Sequence, residues 1–454
     1  MTTTGAHPAW GRLAARAVAE LRAAGVDDPT LAVLAIHLPL LAEPVEEATD
    51  VAEGDGERSL GELHEDLLDD DHRRRNGVHY TPASVASALV ARVLGPTEGR
   101  DDAIATGDGM VPLVCDPSCG GGVFLVAVAE HLATRGADPA RVLASLHGLD
   151  LDPVAVEVAR VEVVAWAAGS GLHGDALVEA ARGLVERVVV GDALLGPWPG
   201  EGHLQLVVGN PPFAGQLDRV TARDEATAAA ARALLGGAAP GYADTAGLFL
   251  VKAALASAPG ARISLIQPLS FLASRDAGVV RHRLDEMAVL VEVWVAEERV
   301  FGAAVDVCAP MLRVVDPFAA AEISSQEPAP VVVRVGDELR VAGSVSRSRL
   351  ARAGSWAPVV ASATGVPAVD LDDRELLGTR ARATAGFRDE FYALVPFVRD
   401  LLDSVDPPDP AAPPPELPPG HAALVTAGLV EPARVLWGRH LTRFAGRRLR
   451  APAV

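Results

Sequence analysis

Residues 111–132 constrain the fold more than any other stretch of this chain. Val111-Pro112-Leu113-Val114 is a short apolar run of the kind that forms a buried strand. It is followed by Cys115-Asp116-Pro117-Ser118-Cys119-Gly120-Gly121-Gly122, and then by residues 123–132, whose apolar spacing fits a helix packed on a sheet. Strand, glycine-rich turn and helix in that order make a nucleotide-type ligand site, because backbone N–H groups and the helix N-terminus face whatever binds there. A turn that serves packing alone is the competing reading of this segment. The glycine pattern is not Gly-x-Gly-x-x-Gly, so no pyrophosphate need be bound.

Two further strand ends follow at α/β spacing. Residues 145–153 (Ser-Leu-His-Gly-Leu-Asp-Leu-Asp-Pro) place Asp150 thirty residues after Gly120, where a carboxylate can take both hydroxyls of a ribose. Asp152, directly before Pro153, reads instead as a helix cap. Residues 187–194 place Asp192 after Val188-Val189-Val190-Gly191, within reach of an adenine amino group. A surface loop acid is the alternative for each aspartate singly; their regular placement after apolar runs speaks against it. Asp116, at the first strand end, suits an ammonium group such as the amino-acid end of S-adenosylmethionine.

The fourth run, Leu204-Gln205-Leu206-Val207-Val208-Gly209, leads into Asn210-Pro211-Pro212-Phe213. A planar amide or exocyclic amine is a poor nucleophile because its lone pair is delocalised. The Asn210 side-chain oxygen and the Pro211 carbonyl can each accept one N–H from such a group and draw its nitrogen towards sp3 character. The two prolines fix φ and hold that carbonyl outwards, and Phe213 offers a flat face for a flipped base. Taken alone, the tetrapeptide is also compatible with a proline turn that merely closes a strand.

Together these motifs resemble the gamma-class adenine-N6 DNA methyltransferases of bacterial restriction–modification or phage-defence systems. That class carries its cofactor motifs before the Asn-Pro-Pro-aromatic turn and its target-recognition region after it. It also has a Tyr-Thr-Pro element upstream, present here as Tyr80-Thr81-Pro82, and the resemblance implies that these three residues contact the methionine moiety of the cofactor. Residues 60–68 resemble the helix before that element, with His64 in place of the usual tyrosine, a departure read as structural. Residues 244–253, 263–272, 300–305 and 310–315 match the later helix, strand and final hairpin, and there the resemblance makes Phe301 a second contact for the flipped base.

The resemblance covers roughly residues 60–316. It implies an α/β, doubly wound Rossmann-like methyltransferase sheet over residues 76–316. An N-terminal helical region (1–75) precedes it, and a small C-terminal recognition region (317–454), with a proline-rich linker at 405–420, follows. The residues expected to carry catalysis are Asn210, Pro211, Pro212 and Phe213. Those expected at the S-adenosyl-L-methionine are Tyr80, Thr81, Pro82, Asp116, Pro117, Ser118, Gly120, Asp150, Asp192 and Asn210, with Phe213 and Phe301 at the adenine. Methylation of a protein glutamine or an RNA adenine, or a non-catalytic DNA-recognition subunit of a defence complex, are the alternatives.

Composition bears on partners and setting. The net charge of −20 runs against DNA binding, but thirteen acids and a single arginine fall within residues 41–71, a balance of −12. After the last acid, Glu431, come Arg434, Arg439, Arg443, Arg447, Arg448 and Arg450 with Trp437 and Phe444 between them, either a phosphate-contacting segment or an ordinary basic terminus. Three scattered cysteines argue against a disulfide framework, and no His/Cys cluster accompanies Cys115 and Cys119, so no metal is expected. No apolar run spans a membrane, and a cytoplasmic setting is expected. The partners expected are double-stranded DNA and a specificity or restriction subunit. The sole lysine, Lys252, falls in the helix after the catalytic turn, and no nuclease-sized region precedes residue 60, so DNA cleavage is not expected.

Overall fold

The computed structural model describes residues 10–42, 59–67, 81–96, 110–213, 225–237, 244–298, 300, 305–315, 329–367, 394–402, 413–431 and 434–454. Two compact units are present, residues 1–368 and 369–454.

In the first unit the chain opens with helices α1 (Trp10–Ala23), α2 (Asp28–His37), α3 (Leu60–Leu67) and α4 (Ala83–Leu94). Strand and helix then alternate: β1 (Val114–Asp116), α5 (Val123–Thr134), α6 (Pro139–Ser145), β2 (Leu146–Asp150), α7 (Pro153–Gly169), α8 (Gly174–Val185) and β3 (Val188–Val190). They continue as β4 (Leu204–Gly209), α9 (Glu225–Leu234), α10 (Thr245–Ala256), β5 (Ser257–Leu265), β6 (Gln267–Pro268), α11 (Ser270–Ala273) and α12 (Gly278–Asp285). The unit closes with β7 (Ala288–Val295), β8 (Val307–Val314), β9 (Val331–Val335), β10 (Arg340–Val345), α13 (Arg347–Ala353) and α14 (Ala357–Ala363).

One ten-stranded sheet runs in the order β10-β9-β7-β8-β5-β4-β1-β2-β3, with β6 paired to β8. Strands β1 to β5 are mutually parallel. The chain moves outward from β1 to β3, then returns to the other side of β1 with β4 and β5. That reversal leaves a crevice outside the carboxyl ends of β1 and β4, the usual ligand position in such sheets. Beyond β5 the sheet becomes mixed, since β8 is antiparallel to both β5 and β7, and β7 is parallel to β9.

Helices cover both faces, as the period-2 alternation of strand side chains requires. In β4, Leu206 and Val208 join the core shared with α1 to α5 and α7, while Val207 joins the core shared with α10 and α12. The N-terminal helices therefore complete one layer of the sheet. Likewise Val331–Val335, assigned from sequence to a C-terminal region, extends this same sheet through β7. The first unit thus runs past residue 316, to Ala368. Among the described residues no helix is long and apolar enough to cross a membrane.

The second unit is built from short strands: β11 (Arg399–Asp400), β12 (Val430–Glu431), β13 (Arg434–Val435), β14 (Thr442–Phe444), β15 (Arg447–Leu449) and β16 (Pro452–Ala453). β11 pairs with β16, β12 with β13 and β14 with β15, all antiparallel. Trp437 is buried and donates its indole N–H to the Pro452 carbonyl at 2.7 Å. Asp400 accepts from the backbone N–H groups of Arg450 and Ala451 at 2.8 and 3.0 Å. The arginine-rich end is therefore part of a folded unit with its own small core.

Candidate active site

β1, β2 and β3 each lead to one acid in the crevice. β1 ends in Asp116, which is 1% exposed and accepts the Ser118 N–H at 3.0 Å. Burial pushes this carboxyl up to about 8, against the opposing backbone hydrogen bond from Ser118, and the nearby Asp150 adds to the rise. β2 ends in Asp150, whose two oxygens accept the N–H groups of Gly120 at 2.8 Å and Asp152 at 2.9 Å. One side chain thus ties the glycine turn to the turn after β2. Asp192, two residues past β3, accepts from the N–H groups of Leu194 and Leu195 at 2.8 and 3.1 Å.

The glycine turn is held from outside by α3. A Cβ on Gly121 would lie 2.6 Å from the Gly61 Cα, so helix and turn touch through backbone alone. The Gly61 N–H in turn donates to Glu162 in the middle of α7 at 3.0 Å. Burial raises Glu162 to about 7, and the neighbouring Glu20 contributes. His64 on α3 is buried, with Nε2 3.3 Å from Asp152. The other Asp152 oxygen accepts the Val154 N–H at 2.8 Å, the helix cap expected from its place before Pro153.

β4 brings Asn210 to the same place. A Cβ on Gly209 would meet the Asp116 Oδ1 at 2.4 Å, so the Asn-Pro-Pro turn and the first acid approach each other closely through the glycine backbone. The Asn210 Nδ2 donates to the Thr81 hydroxyl at 3.1 Å. Thr81 is 3% exposed and precedes Pro82, the N-cap of α4. Lys252 on α10 donates its ammonium to the carbonyls of Leu194, at 3.2 Å, and Gly196, which fixes the loop that carries Asp192.

These groups enclose a cleft of about 820 Å3. Thr81, Asp116, Pro117 and Ser118 line it, as do Gly120, Asp150, Asp192 and Asn210. Pro212 also reaches it. Pro82 and Pro211 do not line it, and Phe213 is half-buried against the hydrophobic cluster that also takes Val300 and Val305. Tyr80 and Phe301 lie outside the described residues. His64, Glu62 and Glu162 line the cleft without having been expected there. The one sequence signal for Glu162 is its place as an acid in the otherwise largely apolar α7. Among the described residues no group of three His, Cys, Asp or Glu could hold a metal ion.

Comparison with known proteins places this architecture. Residues 56–307 match the family described as N-6 DNA Methylase. A stretch of 169 residues, 35% of this chain, is 30% identical to the adenine-specific methyltransferase PglX of Streptomyces coelicolor and covers 13% of that protein. Among solved structures, the methyltransferase subunit of a type I restriction-modification system from Streptococcus thermophilus is 15% identical, with a TM-score of 0.40, over 73% of this chain and 61% of that one. The type IIL restriction-modification enzyme MmeI in complex with DNA is also 15% identical, with a TM-score of 0.41, over 63% of this chain and 42% of that one. The chain spans less than two thirds of the length of each of these proteins. The family match extends over more than half of the 454 residues and takes in the cleft from α3 to the start of β8; the chain belongs to the N-6 DNA Methylase family.

Proposed function

We propose that this chain transfers a methyl group from S-adenosylmethionine to N6 of an adenine flipped out of duplex DNA, within a restriction–modification or phage-defence system. One observation carries the reading: Asn210 at the end of β4 and Asp116 at the end of β1 stand side by side in one cleft, across the contact made possible by Gly209. Family membership and the name of the Streptomyces relative support adenine as the target base.

The donor set suits that cofactor. Asp116 is a buried carboxyl with no cationic side chain paired to it among the described residues, a fit for the cofactor's ammonium. Asp150, at the edge of the glycine turn, suits the ribose hydroxyls, and Asp192 suits the adenine amine. Bound there, S-adenosylmethionine would supply a methyl carbon whose bond to sulfur breaks as the bond to nitrogen forms, the electron pair leaving with sulfur.

The chain's own residues orient the target. Asn210 and the Pro211 carbonyl accept the two N–H groups of the adenine amine and localise its lone pair towards the methyl carbon. Thr81 holds the Asn210 amide in place, and the half-exposed Phe213 offers a face for the base. Positioning of this kind converts an encounter into an in-line displacement without a covalent enzyme intermediate. The amine proton is released to water after transfer.

Methyl transfer by the purified chain to duplex DNA, single-stranded RNA and a glutamine-bearing protein tests the proposal. Transfer to DNA adenine, lost in Asn210→Ala with cofactor affinity within about threefold of the parent, is the expected result. A folded Asn210→Ala chain that methylates DNA at the parental rate would overturn it, as would transfer confined to RNA or protein.

A further inference from the structure

The hairpin of β14 and β15 carries two arginines side by side on one face. Its register pairs Thr442 with Leu449, Arg443 with Arg448 and Phe444 with Arg447. Alternate residues of a strand point to opposite faces, so the buried Thr442 and Leu449 set the inner side. Arg443 and Arg448 then stand together on the outer side, and both are exposed. Among the described residues neither forms an ion pair, whereas the neighbouring Arg447 donates to the Val398 carbonyl at 3.3 Å.

The turn holds them there. Ala445 and Gly446 have φ of 46° and 79°, the left-handed pair of a two-residue hairpin turn, which locks the register. Like charges placed directly opposite across two strands destabilise the pair. Beside them lies a shallow cleft of about 510 Å3, walled by Thr426, Gly428, Leu441 and Thr442 together with the two arginines. The Thr426 and Thr442 hydroxyls in it hydrogen-bond to each other. The chain as a whole carries a net charge of −20, so this concentration of cations is local.

We propose that Arg443 and Arg448 form a clamp for a single phosphodiester group of duplex DNA. Directly opposite residues have Cβ atoms roughly 4.5–5.5 Å apart, close enough for both side chains to converge on one group. Each guanidinium is a planar fork that can take two oxygens of a phosphate. A phosphate between them removes the repulsion that the free hairpin carries. The clamp rests on the reading of DNA as substrate, but concerns binding and makes no use of the methyl-transfer cleft.

The test compares the full chain with Arg443→Gln, Arg448→Gln and the double variant, by fluorescence anisotropy on one labelled duplex across a salt series. A shared phosphate makes the two arginines interdependent. Each single variant is expected to weaken binding about tenfold, and the double variant little more than either single one. The slope of log K against log salt should fall by about one in the double variant, the share of one phosphate. With the repulsion gone, the double variant should also melt at or above the parental temperature, which separates lost binding from lost folding. Double-variant binding within twofold of the parent would overturn the clamp. So would additive effects with a slope change of about two, no binding of the parent to duplex DNA at low salt, or tighter capture of polyglutamate than of DNA by the pair. Methyl transfer is assayed on the same samples. A parent that binds DNA through the pair but transfers no methyl group leaves the clamp standing and removes the methyltransferase reading. A double variant with parental KM for DNA does the reverse.

Discussion

In the proposed function, the protonation of Asp116 ties stability to cofactor binding. Folded, it keeps its proton to about pH 8, whereas an unfolded aspartic acid loses it near about pH 4. The cofactor-free protein therefore holds an extra proton relative to the unfolded chain across that window, and loses stability as the pH rises through it. An ammonium ligand favours the carboxylate, so cofactor affinity is expected to rise with pH up to about 8, and binding at pH 7 to expel a proton. Calorimetry in two buffers of different ionisation enthalpy measures that proton, and Asp116→Asn should abolish it. The same proton release in the variant would move the ammonium site elsewhere. Thr81 offers a second test at this scale. Thr81→Val keeps the shape but loses the acceptor for Asn210, and should lower the methylation rate roughly five- to tenfold, as expected for one neutral hydrogen bond, with Thr81→Ser restoring it. A parental rate in Thr81→Val would mean that the amide is held by other groups. The three acids and the Asn-Pro-Pro turn were legible in the sequence because each follows an apolar run. Glu162 was not, because its partner Gly61 is 101 residues away and only the packing of α3 on α7 joins them.

At the scale of elements, α3 and α4 act as braces for the crevice. α3 rests on the glycine turn through Gly61 and Gly121, so Gly121→Ala places a methyl group 2.6 Å from the Gly61 Cα and must part helix from turn. Cofactor affinity is expected to fall tenfold or more while the sheet stays folded, which titration calorimetry and circular dichroism would report together. Unchanged affinity would show that α3 does not shape the site. α4 is braced at its other end, where Arg92 donates to both oxygens of the buried Glu292 on β7, which also accepts from Arg334 on β9. Removing the shared acid leaves two largely buried guanidinium groups facing each other. Glu292→Ala should therefore destabilise the first unit by about 3–5 kcal/mol, read from urea unfolding. The parallel half of the sheet was legible from apolar runs punctuated by turns. The mixed half was harder to read: β9 reads as a strand, but whether it joins this sheet depends on pairing with β7 and on the Arg334–Glu292 contact, which no local pattern carries.

At the scale of the whole molecule, the two proposed tasks fall in different units. Every described residue that lines the larger cleft belongs to the first unit, and the hairpin with the exposed arginines belongs to the second. Charge is uneven within the second unit, since residues 434–454 hold six arginines and no acid in a chain with a net charge of −20. Deleting those residues is a poor test of their charge, because Trp437, Leu449, Ala451 and Ala453 are buried in the second unit and would be lost with it. Ending the chain after Ala368 is cleaner, since the cut follows the boundary between the compact units. That shortened chain is expected to bind S-adenosylmethionine within about twofold of the parent, and to bind DNA with a shallower salt dependence, each lost phosphate contact lowering the slope by about 0.9. Calorimetry for the cofactor and a salt series for DNA provide the two readings. Loss of cofactor affinity in a folded shortened chain would mean that the second unit contributes to the cleft, and an unchanged salt slope would place the phosphate contacts on the first unit.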